Sequence, residues 1–169
     1  LRVSKKIIVT NNKDKIFYID KFKTLNSKIS IIPNYVDTNI FRSTNQKKLD
    51  DLLFIGRPTD QKNLYLLLKA LVGLNFKLTV IGENKYDKEL YEFIKKKNLK
   101  VNFIGVINNN DLANYYRSHK LYIICSKFEG SPKTLLEAMS CRSAVIGTNV
   151  EGINNIIKDD TYVLYYKNL

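Results

Sequence analysis

The chain has 169 residues, 44% of them hydrophobic and 26% charged, which excludes a disordered tail or a fibrous repeat and allows about 70% of the unfolded surface to be buried. Its 28 Lys and Arg against 16 Asp and Glu give a formal net charge of +12. That charge suits nucleic acid, an anionic membrane or small anionic ligands without choosing among them, and richness in Lys, Asn and Ile leaves compositional drift as the plain alternative. Cys125 and Cys141 have neither CxxC nor Cys/His spacing, and His119 is the only histidine, so a disulfide framework, a His-based triad and a multi-histidine metal site are excluded for this chain alone.

From the N-terminus, Lys6 to Thr10 reads as a strand, Ile16, Ile19 and Phe22 as one stripe of a helix, and Ile29 to Ile32 as a second strand. The chain therefore opens, without a Met, in the approach to a strand, as a fragment of a longer protein would. Pro33 to Asp50 reads as a link. Further strands are expected at Leu52 to Ile55, Lys77 to Ile81, Val101 to Ile104, Leu121 to Cys125, Ala144 to Gly147 and Tyr162 to Leu164. Helical stripes separate them: Leu64, Leu67, Leu68 and Leu71; Leu90, Phe93 and Ile94; Leu112, Tyr115 and Tyr116; Leu135, Leu136 and Met139. Lys95-Lys96-Lys97 reads as a favourable charge cluster at a helix end. The strands are apolar at consecutive positions, as in sheets covered on both faces. About six βα units in succession predict an α/β fold, a Rossmann-like doubly wound parallel sheet, with residues 1–169 as one domain. No apolar run reaches about 18 residues and no signal-peptide pattern opens the chain, so a cytoplasmic setting is expected.

In such folds the ligand lies beyond the carboxyl ends of the strands. There the sequence places Gly56-Arg57 with Lys62, Gly82, Gly105-Val106-Ile107, and Glu129-Gly130-Ser131-Pro132-Lys133. Ser131 reads as the N-cap and Pro132 as the first residue of a helix whose amides and dipole suit a diphosphate, with Lys133 adding charge. Arg57 and Lys62 can converge on a phosphate pair, one as a planar fork and one as a point charge. Glu129 and Glu137 can accept hydroxyls on either side of it. The plain alternatives are a Glu129 that only favours a helix start, a Glu137 on a solvated face, and two surface cations.

Ile32-Pro33-Asn34-Tyr35-Val36-Asp37 with Phe41, Phe54-Ile55-Gly56-Arg57 with Lys62, Val80-Ile81-Gly82, Asn102-Phe103-Ile104-Gly105, and Glu129 to Glu137 followed by Ala138-Met139 together resemble the C-terminal half of the glycosyl transferases group 1, glycosyltransferase family 4, with the GT-B fold. The resemblance implies one half of a retaining, metal-independent hexosyltransferase: a domain that binds a UDP- or GDP-linked sugar, with no cofactor, for transfer to a glycan or lipid-linked acceptor. It implies catalytic roles for Arg57, Lys62 and Glu129: the two cations on the departing diphosphate, and Glu129 on the donor sugar. Glu137 would hold the ribose, Gly130, Ser131, Pro132 and Lys133 would border sugar and phosphate, and Gly56, Gly82, Val106 and Ile107 would line the nucleotide site. The acceptor domain is expected to be missing, so that the chain binds donor and transfers little. A peripheral contact with an anionic membrane at the cytoplasmic face is a further expectation.

The sequence departs from the family pattern in three places. Ser140-Cys141-Arg142-Ser143-Ala144 lacks the usual Gly and Pro, Asp159 to Tyr162 replaces a glycine-containing hairpin, and Ser131 stands where a bulky apolar residue is frequent. Three alternatives stay open: a non-catalytic nucleotide-sugar-binding module, a GT-B epimerase, and a basic nucleic-acid-binding domain. Against the last, no RNA-binding or zinc signature is present.

Overall fold

A computed structural model describes residues 4–23, 25–157 and 163–166. Along them run β1 (Ile7–Val9), α1 (Asn12–Phe22), β2 (Ile29–Ile31), β3 (Leu49–Ile55), α2 (Leu64–Ala70), β4 (Lys77–Ile81), α3 (Lys88–Lys96), β5 (Lys100–Gly105), α4 (Asn109–Ser118), β6 (His119–Ile124), α5 (Lys133–Ser140), β7 (Ala144–Thr148), α6 (Glu151–Asn154) and β8 (Val163–Tyr166). The strand expected at Tyr162 to Leu164 is β8, with Tyr162 outside the described residues, as is the hairpin reading of Asp159 to Tyr162.

Strands β3 to β8 form one parallel sheet in the order β5-β4-β3-β6-β7-β8. The chain walks from β3 out to β5, then returns to the other side of β3, so the direction of winding reverses between β3 and β6. Right-handed crossovers then place α2 and α3 on one face and α4, α5 and α6 on the other. The core divides accordingly. Leu52 and Phe54 pack with Leu64, Leu67, Leu68, Leu78, Val80 and Leu90, whereas Leu53 joins Tyr116, Tyr122, Leu135, Ala138, Val145 and Ile153. Adjacent residues of β3 thus serve opposite faces, which is why its apolar positions run consecutively.

The first βαβ unit does not join this sheet. Among the described residues, strands β1 and β2 pair with each other and not with the main sheet, Ile7 beside Ile29 and Val9 beside Ile31, so the doubly wound sheet expected from the sequence is built by β3 to β8. Hydrophobic pattern says that a strand is buried, not which sheet it joins; here the link after Ile31 carries the chain to a new start. That link is fastened by Phe41, which is buried against the Tyr116 ring. The Arg117 guanidinium donates to the carbonyls of Arg42 and Ile40, and the Ser140 hydroxyl to that of Phe41. The stripe expected on α1 is solvated, with no residue of the helix buried and Ile16, Phe17 and Phe22 exposed.

Candidate functional site

At the carboxyl ends of β3, β4 and β5 the backbones are packed directly on one another. The Gly56 N–H donates to the Ile81 carbonyl at 2.9 Å, and the Gly82 N–H to the Gly105 carbonyl at 3.0 Å. A Cβ on Gly82 would stand 2.0 Å from the Gly56 carbonyl oxygen, and Gly82 and Gly105 have φ of +146° and +88°. Only glycine permits both the contact and the backbone conformation. These residues form a floor of backbone edges, bordered by Val106, which is exposed, and Ile107, which packs on the core.

The turn after β3 brings Lys62 back over this floor. Thr59 N–H donates to the Arg57 carbonyl, and Lys62 N–H to the Thr59 carbonyl. Gly56 leaves room for the Lys62 stem, since a Cβ there would lie 3.2 Å from its Cγ. Arg57 is exposed at the rim. Lys62 Nζ stands 2.6 Å from Glu129 Oε1, with both side chains largely removed from solvent. The pair answers part of the sequence alternatives: Lys62 is not a free surface cation, and Glu129 is held by Lys62 and by the Ser126 hydroxyl, also at 2.6 Å. An ammonium has three donors, so Lys62 keeps two for a ligand.

The loop from Ser126 to Ser131 is fastened by side chains from three distant segments. Thr148 donates to the Ser126 carbonyl at 2.6 Å, Gln61 to that of Phe128 at 3.0 Å, and Asn34 to that of Ser131 at 2.5 Å. Beneath it lies Gly152, where a Cβ would meet the Glu129 carbonyl oxygen at 2.2 Å. The helix that follows begins one residue later than expected. Pro132 is the N-cap, with ψ 109°, and Lys133 is the first helical residue. Ser131 is therefore not the cap, and its carbonyl is turned to Asn34 instead. With neither a side-chain cap nor an acidic residue in its first turn, α5 opens toward the loop with its positive dipole end uncompensated by protein charge.

Glu137 lies one turn inside α5 and is 1% exposed, which rules out the solvated-face alternative. Its Oε2 accepts from the Tyr116 hydroxyl at 3.3 Å, while Oε1 is buried without a hydrogen bond, 3.9 Å from Lys133 Nζ. Burial raises its pKa above the ordinary value, with the Lys133 charge and hydrogen bonding from Tyr116 and Asn109 opposing. A buried carboxylate oxygen without a hydrogen bond is rare in native proteins. Sequence reading missed Tyr116 as its partner, along with Asn34, Gln61, Thr148 and Gly152. Tyr116 reads only as part of an apolar stripe, Asn34 and Gln61 stand inside segments singled out for their neighbours, and nothing local marks Thr148 or Gly152.

The glycine floor, two cations, a helix N-terminus and two held carboxylates thus gather at the switch point, where doubly wound α/β folds place their ligands. The family model for glycosyl transferases group 1 matches residues 36–168, and the chain belongs to that family. It is 31% identical over 173 residues to the amylovoran biosynthesis glycosyltransferase AmsD of Erwinia amylovora, covering 98% of this chain and 49% of that protein. It is 28% identical over 159 residues to an alpha-1,4-N-acetyl-D-galactosaminyltransferase of Campylobacter jejuni, covering 90% of this chain and 43% of that protein, whose name gives a diNAcBac-PP-undecaprenol-linked acceptor. Among solved structures it resembles Anabaena HepE in complex with UDP and glucose, with TM-score 0.84, 18% identity and coverage of 98% of this chain and 50% of that one. It also resembles WaaG, a glycosyltransferase involved in lipopolysaccharide biosynthesis, with TM-score 0.80, 20% identity and coverage of 95% and 48%. The fold is that of these GT-B enzymes. The chain spans about half the length of the curated relatives it matches.

Proposed function

We propose that this chain is the donor-binding half of a retaining glycosyltransferase that takes a hexose from a UDP- or GDP-linked donor to a glycan or lipid-linked acceptor. The observation that carries the reading is the buried Oε1 of Glu137, which accepts no hydrogen bond and lies 3.9 Å from Lys133 Nζ on the helix that starts at the Glu129 loop. A carboxylate so placed accepts the paired hydroxyls of a ribose while the attached diphosphate reaches the N-terminus of α5.

As the sugar–phosphate bond breaks, negative charge grows on the diphosphate and positive charge on the anomeric carbon. Arg57 and Lys62 would meet the first, with the α5 dipole behind them. Glu129, anchored by Ser126 and Lys62, would face the donor sugar and stabilise the oxocarbenium character. Lys62 touches Glu129 before any ligand arrives, so one ammonium would link the leaving group to the carboxylate beside the sugar. The nucleobase would lie against Gly82 and the Gly105 to Ile107 turn. Support for the acceptor class comes from the Campylobacter relative, named for an undecaprenol-linked substrate. Support for the donor class comes from the UDP complex of the Anabaena neighbour. Among the described residues no helix is long and apolar enough to cross a membrane; peripheral contact of the basic chain with an anionic membrane at the cytoplasmic face is part of the same reading.

Calorimetric titration of the chain with nucleoside diphosphates and nucleotide sugars tests the reading. Binding of UDP or GDP that Arg57→Ala and Glu137→Ala each weaken by tenfold or more, the worth of charge-assisted hydrogen bonds, is the expected result. Equal and negligible responses across the panel would sink it.

A further inference from the structure

We propose that Asn34 is a positioning residue for the Glu129–Ser131 loop, and that through it the β1–α1–β2 unit governs how tightly the site holds a nucleoside diphosphate. The inference rests on the donor-binding reading above. Asn34 donates from Nδ2 to the Ser131 carbonyl at 2.5 Å across 97 positions of sequence. The peptide bond it meets joins Ser131 to Pro132, and so carries an oxygen but no N–H. That oxygen stands at the entrance of α5, where an anion would arrive. Engaged by an amide, its dipole is partly neutralised and the Ser131 backbone is fixed; left unmet, it would present a negative end to the incoming phosphate.

Asn34 is itself tethered at both ends. Upstream, the Ile32 N–H donates to the Val9 carbonyl at 2.9 Å and extends the β1–β2 pairing, after which Pro33 restricts the backbone. Downstream, Val36 and Ile40 pack on the core and Phe41 is buried in it. The same βαβ unit reaches the loop and its support at two more points. The Asn11 side-chain amide stands 3.7 Å from where a Gly130 Cβ would be, and Lys13 Nζ meets Glu151 Oε2 at 2.6 Å. Lys13 and Glu151 are both exposed, so their pair adds little. Asn11 and Asn34 are both half-buried, and of the set Asn34 is the one whose hydrogen bond lands on the loop itself. A shift of the β1–α1–β2 unit would therefore be transmitted to the backbone beside Glu129.

The test compares Asn34→Ala, Asn34→Asp and Lys13→Ala in the 169-residue chain, titrated with UDP and GDP from pH 7.5 down to 4.5, with thermal unfolding followed at each pH. Asn34→Ala is expected to weaken binding about tenfold, the equivalent of one well-placed hydrogen bond, and Lys13→Ala less than about threefold. Asn34→Asp sets a carboxylate against the Ser131 oxygen and should bind more weakly than Asn34→Ala at pH 7.5. As the new carboxyl takes up a proton it regains an O–H donor, and its deficit against Asn34→Ala should close. Unchanged affinity in Asn34→Ala, or an Asn34→Asp that follows Asn34→Ala at every pH, would overturn the proposal. Amide hydrogen exchange of residues 126–134 without ligand reads the positioning independently. Faster exchange in Asn34→Ala supports it, and exchange identical to that of the parent chain overturns it. A parent chain that binds neither nucleotide would remove the donor-binding reading and the claim on affinity with it, while the exchange result still decides whether Asn34 holds the loop.

Discussion

Glu137 places function and stability in conflict on one side chain. It is buried, half-satisfied by Tyr116, and its pKa is raised by that burial. A carboxyl whose folded pKa lies above its unfolded value costs stability when both states are ionised, and the cost disappears as pH falls through the folded pKa toward 4.5. Glu137→Gln is therefore expected to unfold at higher denaturant than the parent at pH 7, with the gap closing on acidification, while nucleotide affinity drops. Tyr116→Phe removes a donor from a buried acceptor and should cost about 1–2 kcal/mol in the same urea titration. The charged side chains at the strand ends were readable from their positions after apolar runs. Their partners were not: nothing in the order of residues says that Lys62 meets Glu129, or that Tyr116, 21 positions upstream, reaches Glu137.

At the scale of elements, the site depends on backbones that approach more closely than any side chain allows. Gly152→Ala would drive a methyl group against the Glu129 carbonyl, and overpacking of this kind costs about 1–3 kcal/mol. Because the displaced group carries Glu129, the role proposed for that carboxylate predicts that donor-sugar recognition falls further than stability, read as a greater loss of affinity for nucleotide sugar than for the bare nucleoside diphosphate. Leu68→Ala, by contrast, empties a fully buried position between α2 and the sheet. It should cost about 2–5 kcal/mol in unfolding experiments with nucleotide affinity at the folded plateau preserved. Element identities followed from periodicity, but element limits did not. β3 begins at Leu49 because it pairs with β6 through a register shift between Leu49 and Leu52, and α5 begins at Lys133 because Pro132 is extended. Both limits are set by contacts remote in sequence.

For the whole molecule, pH and charge act through different groups. His119, the first residue of β6, is buried, its Nε2 3.0 Å from the Thr79 hydroxyl and its Nδ1 2.9 Å from the Tyr115 carbonyl, and burial lowers its pKa below 6.5. Burial thus favours the neutral ring in the folded chain. The unfolded chain binds a proton first, so this contribution to stability is lost as pH falls below 6.5 toward the folded pKa. His119→Gln should flatten that part of the stability profile, measured by thermal unfolding between pH 7.5 and 5. The net charge of +12 predicts adsorption to anionic liposomes that weakens with salt. Arg57→Ala should leave that adsorption nearly unchanged, since one charge among 28 basic side chains is a small part of a surface field.

Alternating apolar runs and helical stripes by themselves determined the α/β class, because burial on both faces of a parallel sheet requires consecutive apolar residues. The spacing of Gly56, Arg57, Lys62, Glu129 and Glu137 marked a candidate site, because the segments that follow the strands of such a fold gather at one edge of the sheet. Only the tertiary structure decided that β1 and β2 stand apart from the main sheet, since strand pairing is chosen by long-range register that a single strand does not encode. It alone decided, too, that Glu137 is buried with one oxygen unmet and that Asn34 and Gly152 hold the loop. Those properties arise where segments distant in sequence pack together, and none of them exists in the unfolded chain.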